Sequence, residues 1–346
     1  MLRNGRWRAL LVLPLIAAAV ALFIYRGPDW HLVHDAFTVV RWRWVIAAIG
    51  LNLLSVLSRA FAWDTTIKQS LDPPRPRFPL VFSAFSVGLF ANAVLPGRVG
   101  ELARVAVLRR RLPGRRGATA TLIGSVFAHR MFDLFPATAL VIWVLLTAKI
   151  PGWALTSIAL VLALGIMLFV VAMLLARRAH RDALEGLGPV RQLIARARVG
   201  LAVMRSPVAA TTAAAFQFGG WTCQLLAVWS AMFAFHIHAH LSTAGLVLVL
   251  INVATIFPLW PGNFGLVQIA IAFPLVNYGV PYARGFAFGI GLQAIEASVG
   301  VGVGLFFLAR EGLSYAMLKT FDDAPVDSAE DVHEQEPERA RSRVSG

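Results

Sequence analysis

The sequence predicts an all-α fold: a polytopic transmembrane helix bundle with two re-entrant or broken helices in an inverted repeat. Three observations predict it. The 346-residue chain is 58% hydrophobic and only 14% charged, with mean hydropathy +0.69, whereas soluble domains run near a quarter charged. Its apolar residues are gathered into runs of about 15 to 25, the length that crosses hydrocarbon. The pentapeptide PGxxG occurs in both halves, as Pro96-Gly97-Arg98-Val99-Gly100 and Pro261-Gly262-Asn263-Phe264-Gly265, each time after an apolar run containing an Asn, Asn92 or Asn252.

Three regions are expected. Residues 1–43 form an N-terminal anchor helix and an outer loop, 44–312 the membrane domain, and 313–346 a disordered acidic cytoplasmic tail; no separate soluble domain is expected. The N-terminus reads Arg3, Arg6, Trp7, Arg8 and then runs apolar from 9 to 25. Small residues at 17–21 suit a signal peptide, but the apolar run continues past them, which favours an uncleaved anchor. Trp42 and Trp44 mark an aromatic edge before a helix over 45–63, and a proline-broken basic loop follows over 68–77. Further apolar runs cover 78–95, 118–147, 154–175, 208–235, 241–259, a short stretch to 280, and 286–308, with an amphipathic stretch over 100–111. The tail after 321 is too polar to order itself.

Charge orients the bundle. The tail from 321 holds eight of the 18 acidic residues, so the preceding 320 residues carry 29 basic side chains against 10 acidic ones. This excess lies in short loops between apolar runs. It therefore reads as the positive-inside signal and as contact with anionic headgroups rather than as a nucleic-acid surface. The N-terminus and the loops over 68–77, 104–116 and 177–205 are placed in the cytoplasm. Residues 78–95 then have basic flanks on both sides, and a full crossing would strand arginines outside. A helix that enters, turns at Pro96-Gly97 and returns resolves the conflict. Non-helical backbone at membrane depth needs protein or a wet cavity around it. The second PGxxG either forms a re-entrant pair of opposite orientation, the mark of inverted-repeat transporters, or joins two short spans.

Candidate functional residues follow from the cost of polar groups in lipid. Arg98, Glu101 and Arg104, at i, i+3 and i+6, share a helix face and can pair serially. A helix starting near Arg98 would aim its free N–H groups and positive dipole end at the cavity, a natural phosphate site. The alternative is a plain helix start at the membrane surface. Arg130 and Asp133 lie about 15 Å into an apolar helix, as binding groups or as an internal pair that locks packing. Arg59 and Asp64 are expected to snorkel to the interface. Glu296 has no basic residue within a turn, so its partner lies on another helix. It is either a proton site, a counter-ion for Arg98 or Arg130, or a hydrogen-bonded Glu between helices. His236, His238 and His240 alternate in an outer loop, but no metal site is expected. The single Cys223 excludes an internal disulfide and a cysteine metal cluster. No hydrolase, metalloprotease or nucleotide-binding motif is present.

The run from Asn92 to Arg104, the Arg130-x-x-Asp133 helix and the later Pro261-Gly262-Asn263-Phe264-Gly265 together resemble the transmembrane region of lysylphosphatidylglycerol synthetases. That region defines a wider flippase-like family, and the resemblance covers roughly 44–312. In aminoacyl-phospholipid synthetases it is coupled to a soluble aminoacyltransferase domain and implicated in lipid translocation. Stand-alone relatives are associated with lipid or polyprenyl-linked glycolipid handling, including hopanoid transport. Two departures remove a negative charge that family members often carry: Gln268 stands after the second PG motif, and His129 stands before the Arg-x-x-Asp pair.

The resemblance implies a lipid translocase or lipid-binding transporter of the bacterial cytoplasmic membrane. Its phosphate-containing substrate would be bound by Asn92, Pro96, Gly97, Arg98, Gly100, Glu101, Arg104, Arg130, Asp133, Pro261, Gly262, Asn263, Gly265 and Glu296. The expected partners are anionic phospholipid or a polyprenyl-phosphate-linked lipid, and a cytoplasmic lipid-modifying enzyme; no cofactor and no nucleic acid are expected. A membrane-embedded transferase using Glu101, Asp133 or Glu296 as base, and an accessory subunit of a lipid-modifying enzyme, are the other two readings.

Overall fold

The computed structural model describes residues 28–71, 73–95, 99–112, 118–148, 206–256 and 261–310, together with Thr156, Leu160, Ala163 and Met167. The expected anchor over 9–25, most of the run 154–175, the turn Pro96-Gly97-Arg98, Arg115 and Arg116, the loop 177–205 and the acidic tail lie outside the described residues.

Nine α-helices and no strand occur among the described residues: α1 (Trp30–Thr38), α2 (Trp42–Ser70), α3 (Phe78–Val94), α4 (Gly100–Arg110), α5 (Ala118–Thr147), α6 (Pro207–Ala234), α7 (Leu241–Ala254), α8 (Leu266–Leu275) and α9 (Tyr282–Arg310). α2, the Thr121–Thr147 part of α5 and α9 are long and apolar enough to cross a membrane, whereas α3, α7 and α8 are shorter apolar helices. The protein is a polytopic helical membrane bundle.

Two elements differ from expectation. The outer loop before Trp42 contains a helix, α1. It starts where Asp29 Oδ1 accepts from the backbone N–H groups of His31 at 3.0 Å and Leu32 at 3.4 Å, an N-cap in the usual sense. α2 also outruns its apolar segment by seven residues. Its last two turns satisfy their polar groups locally. Asp64 pairs with Lys68 at 2.6 Å, Thr66 Oγ1 donates to the Trp63 carbonyl at 2.7 Å, and Ser70 Oγ donates to the Thr66 carbonyl at 2.9 Å. The helix ends just before Pro73-Pro74, as the residue preceding a proline is pushed out of the helical region.

The central packing is α2 against α6, antiparallel and in strict register. The Arg41 N–H donates to the Ala234 carbonyl at 3.0 Å, Ser55 Oγ to the Gly220 carbonyl at 2.7 Å and Ser58 Oγ to the Phe216 carbonyl at 2.7 Å. Serines at this seam let the backbones approach and supply the hydrogen bonds that hold helices together in lipid, about 0.6–2 kcal/mol each. α5 runs alongside α2. Trp63 Nε1 donates to Ser125 Oγ at 3.2 Å near its start, and Trp143 and Val144 crowd Gly245 of α7 near its end.

α3 and α4 pack closely against each other. A Cβ on Gly100 would fall 2.0 Å from the Gly88 carbonyl oxygen, and one on Gly88 would fall 2.7 Å from that of Gly100. Only glycine at both positions permits this crossing. Asn92 Oδ1 then accepts from the Gly100 N–H at 2.8 Å, which satisfies a donor that the helix start leaves unpaired.

α7 and α8 form a hairpin around Pro261-Gly262-Asn263. Gly262 and Gly265 have φ of +69° and +90°, and Asn263 has φ +44°. Asn252, which the sequence pairs with Asn92, does not repeat its role: its Nδ2 donates to the Leu248 carbonyl within α7 at 2.8 Å. The turn is held instead by Asn263 Nδ2, which donates to the Ala254 carbonyl at 2.8 Å, and by a relay through Gln268. The Gly265 N–H donates to Gln268 Oε1 and Gln268 Nε2 donates to Gln293 Oε1, both at 2.6 Å, and Gln293 Nε2 donates to the Gly262 carbonyl. α9 carries both helix pairs. Gly289 sits against Gln268 of α8, and Gly304 against Phe90 of α3.

Candidate functional site

Inside this bundle lies a cavity of about 210 Å³ walled by α2, α3, α4, α5, α6 and α9. Three arginines and three carboxylates border it: Arg59 from α2, Glu101 and Arg104 from α4, Arg130 and Asp133 from α5, and Glu296 from α9. Asn52, Asn92, His129 and Gln224 add neutral polar groups, and Phe85, Val56 and Val299 the apolar wall.

Most of the charge is internally paired. Glu101 bridges two cations, binding Arg104 Nη2 through one oxygen and Arg130 Nη2 through the other. Arg130 Nη1 donates to Asp133 Oδ2 at 3.0 Å, and Trp221 Nε1 donates to Asp133 Oδ1 at 3.0 Å. The sequence spacing makes both i, i+3 pairs possible. The α4–α5 packing joins them into one chain, Arg104–Glu101–Arg130–Asp133–Trp221.

The two arginines of the chain differ in setting. Arg104 is 3% exposed and lies over the faces of Trp63 and Phe85, at 4.7 and 5.6 Å from the ring centroids. Its shared carboxylate and these π-faces offset much of the cost of removing a guanidinium from water. The Arg130 side chain is 49% exposed and so sits at the mouth.

A second cluster stands apart from this chain. Arg59 Nη2 donates to Gln224 Oε1 at 2.6 Å, and its guanidinium lies 5.1 Å from the centre of the Trp221 ring. Gln224 also hydrogen-bonds the Glu296 carboxyl. Glu296 Oε1 and Arg59 Nε are shielded from solvent without a hydrogen-bond partner. Both findings depart from the sequence reading. Arg59 does not snorkel to the interface, because α2 continues to Ser70 and leaves it mid-helix. Asp64 is likewise buried, at 3% exposure, and pairs with Lys68. The Glu296 neighbours are Arg59 and Gln224, neither of which was expected; Arg130 pairs with Glu101 and Asp133 instead.

Of the residues named from sequence, Asn92, Gly100, Glu101, Arg104, Arg130, Asp133 and Glu296 meet at the cavity. Pro96, Gly97 and Arg98 lie outside the described residues. Gly262, Asn263 and Gly265 are not on the cavity wall; with Pro261 they belong to the α7–α8 turn described above. Arg59 and Gln224 were missed as site residues. The one signal for them was a lone Arg in one long apolar stretch and a Gln, one of two, in another. His129 is 2% exposed, edge-on to Phe85 with centroids 5.9 Å apart, and its Nδ1 has no hydrogen-bond partner. Among the described residues no group of three His, Cys, Asp or Glu is arranged to hold a metal.

No curated protein and no solved structure matches the chain. The family model described as the lysylphosphatidylglycerol synthase TM region does match it, over residues 7–304. That match spans α1 to most of α9 and includes every described residue of the cavity wall, so this chain belongs to the lysylphosphatidylglycerol synthase transmembrane-region family.

Proposed function

We propose that this protein, a membrane protein of a family concerned with lipid, translocates or carries a phosphate-bearing lipid whose headgroup enters the charged cavity. The observation that carries the reading is the cavity itself: three arginines and three carboxylates from four helices, gathered inside a largely apolar bundle. Intramembrane charge is costly and persists where it lines a path or holds a ligand. The donors suit phosphate. Guanidinium forks match two oxygens of a phosphodiester, and Arg130 is exposed enough at the mouth to meet an incoming headgroup.

A transferase reading has less support. It needs a free general base; Glu101 and Asp133 are already held by arginines, which leaves Glu296 as its one unpaired carboxylate among the three candidates. In this reading α3–α4 and α7–α8 are broken membrane elements on either side of the binding region, and the arginine-rich loops face the cytoplasm of a bacterial cell.

The test is the lipid content of protein purified in mild detergent, read by mass spectrometry, followed by binding of the lipid found. Phosphate-bearing lipid should co-purify with wild type. Arg130→Ala should weaken its binding by about ten- to hundred-fold, the worth of one charge-assisted contact, with the melting temperature little changed. Wild-type protein that neither retains nor binds any phosphate-bearing lipid overturns the proposal.

A further inference from the structure

We propose that the Arg59–Gln224–Glu296 cluster is the anion subsite of the cavity, and that it takes up a phosphodiester together with one proton, carried by Glu296. This inference rests on the lipid-binding reading above and specifies where and with what the headgroup binds.

The three cations of the cavity differ in how their charge is met. Arg104 and Arg130 both have Glu101 as counter-charge, and Arg130 has Asp133 as well. Among the described residues Arg59 has no carboxylate within ion-pair distance. Its hydrogen bond goes to a neutral amide, Gln224 Oε1, and its Nε has no partner. A cation withdrawn from water with unspent donors favours an arriving anion more than one whose charge is already met.

The cluster also holds a carboxyl of its own. Glu296 reaches the same cluster from α9 through Gln224, and its Oε1 is buried and unpaired. The remaining ionisable groups around Glu296 do not alter the balance. Asp133 of α5 also acts on Arg59 electrostatically, but its two oxygens are held by Arg130 and Trp221. Glu101 and Arg104 of α4 pair on the cavity's other wall, and His129 of α5 is buried against Phe85. Neither α3 nor α8, both packed on α9, carries an ionisable side chain. α1 meets α9 at the far end, where Trp30 packs on Phe286. Glu296 and an anion on Arg59 therefore compete for one positive charge. With the anion bound, an ionised Glu296 would face it inside a water-poor cavity, where like charges repel most strongly. One proton, drawn from solvent, removes that repulsion: protein, anion and H⁺ become a complex with neutral Glu296 and the anion on Arg59.

The signature is linkage. A phosphodiester keeps a single charge through neutral pH, so any pH dependence of its binding belongs to the protein. The experiment uses full-length protein in detergent with phosphatidylglycerol, measured by calorimetry in two buffers of different ionisation enthalpy. At a pH where Glu296 is ionised in the free protein, wild type should take up one proton per lipid, and this is the pH at which uptake is judged. The wild-type affinity should fall about ten-fold per pH unit once Glu296 is ionised in the free protein. Glu296→Gln, which keeps shape and loses the charge, should bind without a pH slope and more tightly than wild type at high pH. Arg59→Gln should lose at least about ten-fold in affinity.

Proton uptake of zero in wild type overturns the coupling without needing any variant to fold. So does a Glu296→Gln protein with the wild-type slope, and an Arg59→Gln protein that binds normally overturns the subsite. Glycerophosphoglycerol, the same headgroup without acyl chains, should bind more weakly than the lipid; equal affinity overturns the assignment to a lipid. No binding of phosphatidylglycerol by wild type at any pH counts against the lipid reading itself, and is thereby distinguished from failure of the coupling.

Discussion

Beside the α3–α4 connection the polar groups among the described residues are Asn92, Glu101 and Arg104; beside the α7–α8 turn they are Asn263, Gln268 and, from α9, Gln293. Both helix pairs carry the same PGxxG spacing in sequence and both dock on glycines of α9. Yet the first faces the cavity with charge, and the second closes on itself with amides. The pentapeptide encodes a way to turn a backbone. What surrounds it decides whether the turn binds something. Gln268 illustrates the point: at 0% exposure, with one amide donor and one acceptor used, it completes the relay that holds the turn. A carboxylate there would lack the donor that reaches Gln293.

Substitutions can break or sharpen this contrast. The largest effect is expected at the first crossing. Gly100→Val puts side-chain atoms where the Gly88 carbonyl lies. It should cost more than the usual ~3 kcal/mol of overpacking and leave no monodisperse protein in size-exclusion chromatography. Next is Glu101→Gln, which strands the buried Arg104 without its counter-charge. A drop of about 3 kcal/mol is expected, read as a lower thermal midpoint, together with altered lipid binding because Arg130 is released.

Gln268→Ala leaves the Gly265 N–H and Gln293 Oε1 unmet, for about 2 kcal/mol. Its distinguishing outcome is that lipid binding per folded molecule stays at the wild-type value; a binding loss would mean that the α7–α8 hairpin also touches substrate. The smallest effect is Gly262→Ala. A left-handed φ costs about 1 kcal/mol for a residue with a Cβ, and the nearest atom to the new Cβ is the side-chain Gln293 Nε2 at 3.0 Å, which can yield. A shift of a few degrees in the melt is the expected reading.

Much of the site was legible in the sequence because lipid makes polar residues conspicuous. Arg130 and Asp133 stood out in an apolar helix, and their i, i+3 spacing already contained the pair seen at 3.0 Å. The close pairing of α3 with α4 was suggested by the basic flanks on both sides of the apolar run 78–95. Arg59 was misread for a specific reason. The apolar run ends near Trp63, which put Arg59 one turn from an apparent helix end, and only the local pairing of Asp64, Thr66 and Ser70 carries α2 on to residue 70. Partners across helices were harder still. That Glu296 needed one on another helix followed from spacing; that it was Gln224 and Arg59 followed from the α2–α6 register, which no periodicity in either helix reveals. Asn252 misled in the opposite way, through a resemblance of position to Asn92 that the longer connection to Pro261 does not preserve.

The register that ties Arg41 to Ala234, Ser55 to Gly220 and Ser58 to Phe216 has a consequence for sidedness. His236 Nε2 lies 2.8 Å from the Val39 carbonyl oxygen and fastens the same end again. Two stretches nearly 200 residues apart in the chain therefore emerge on one face of the membrane, whatever the arginines dictate. Cysteines at Val39 and Ala239 must react with an impermeant reagent from one common side, and cysteines at Lys68 and Ser206 from the other. The arginine count bears only on the expectation of which face is cytoplasmic; it has no say in which residues share a face.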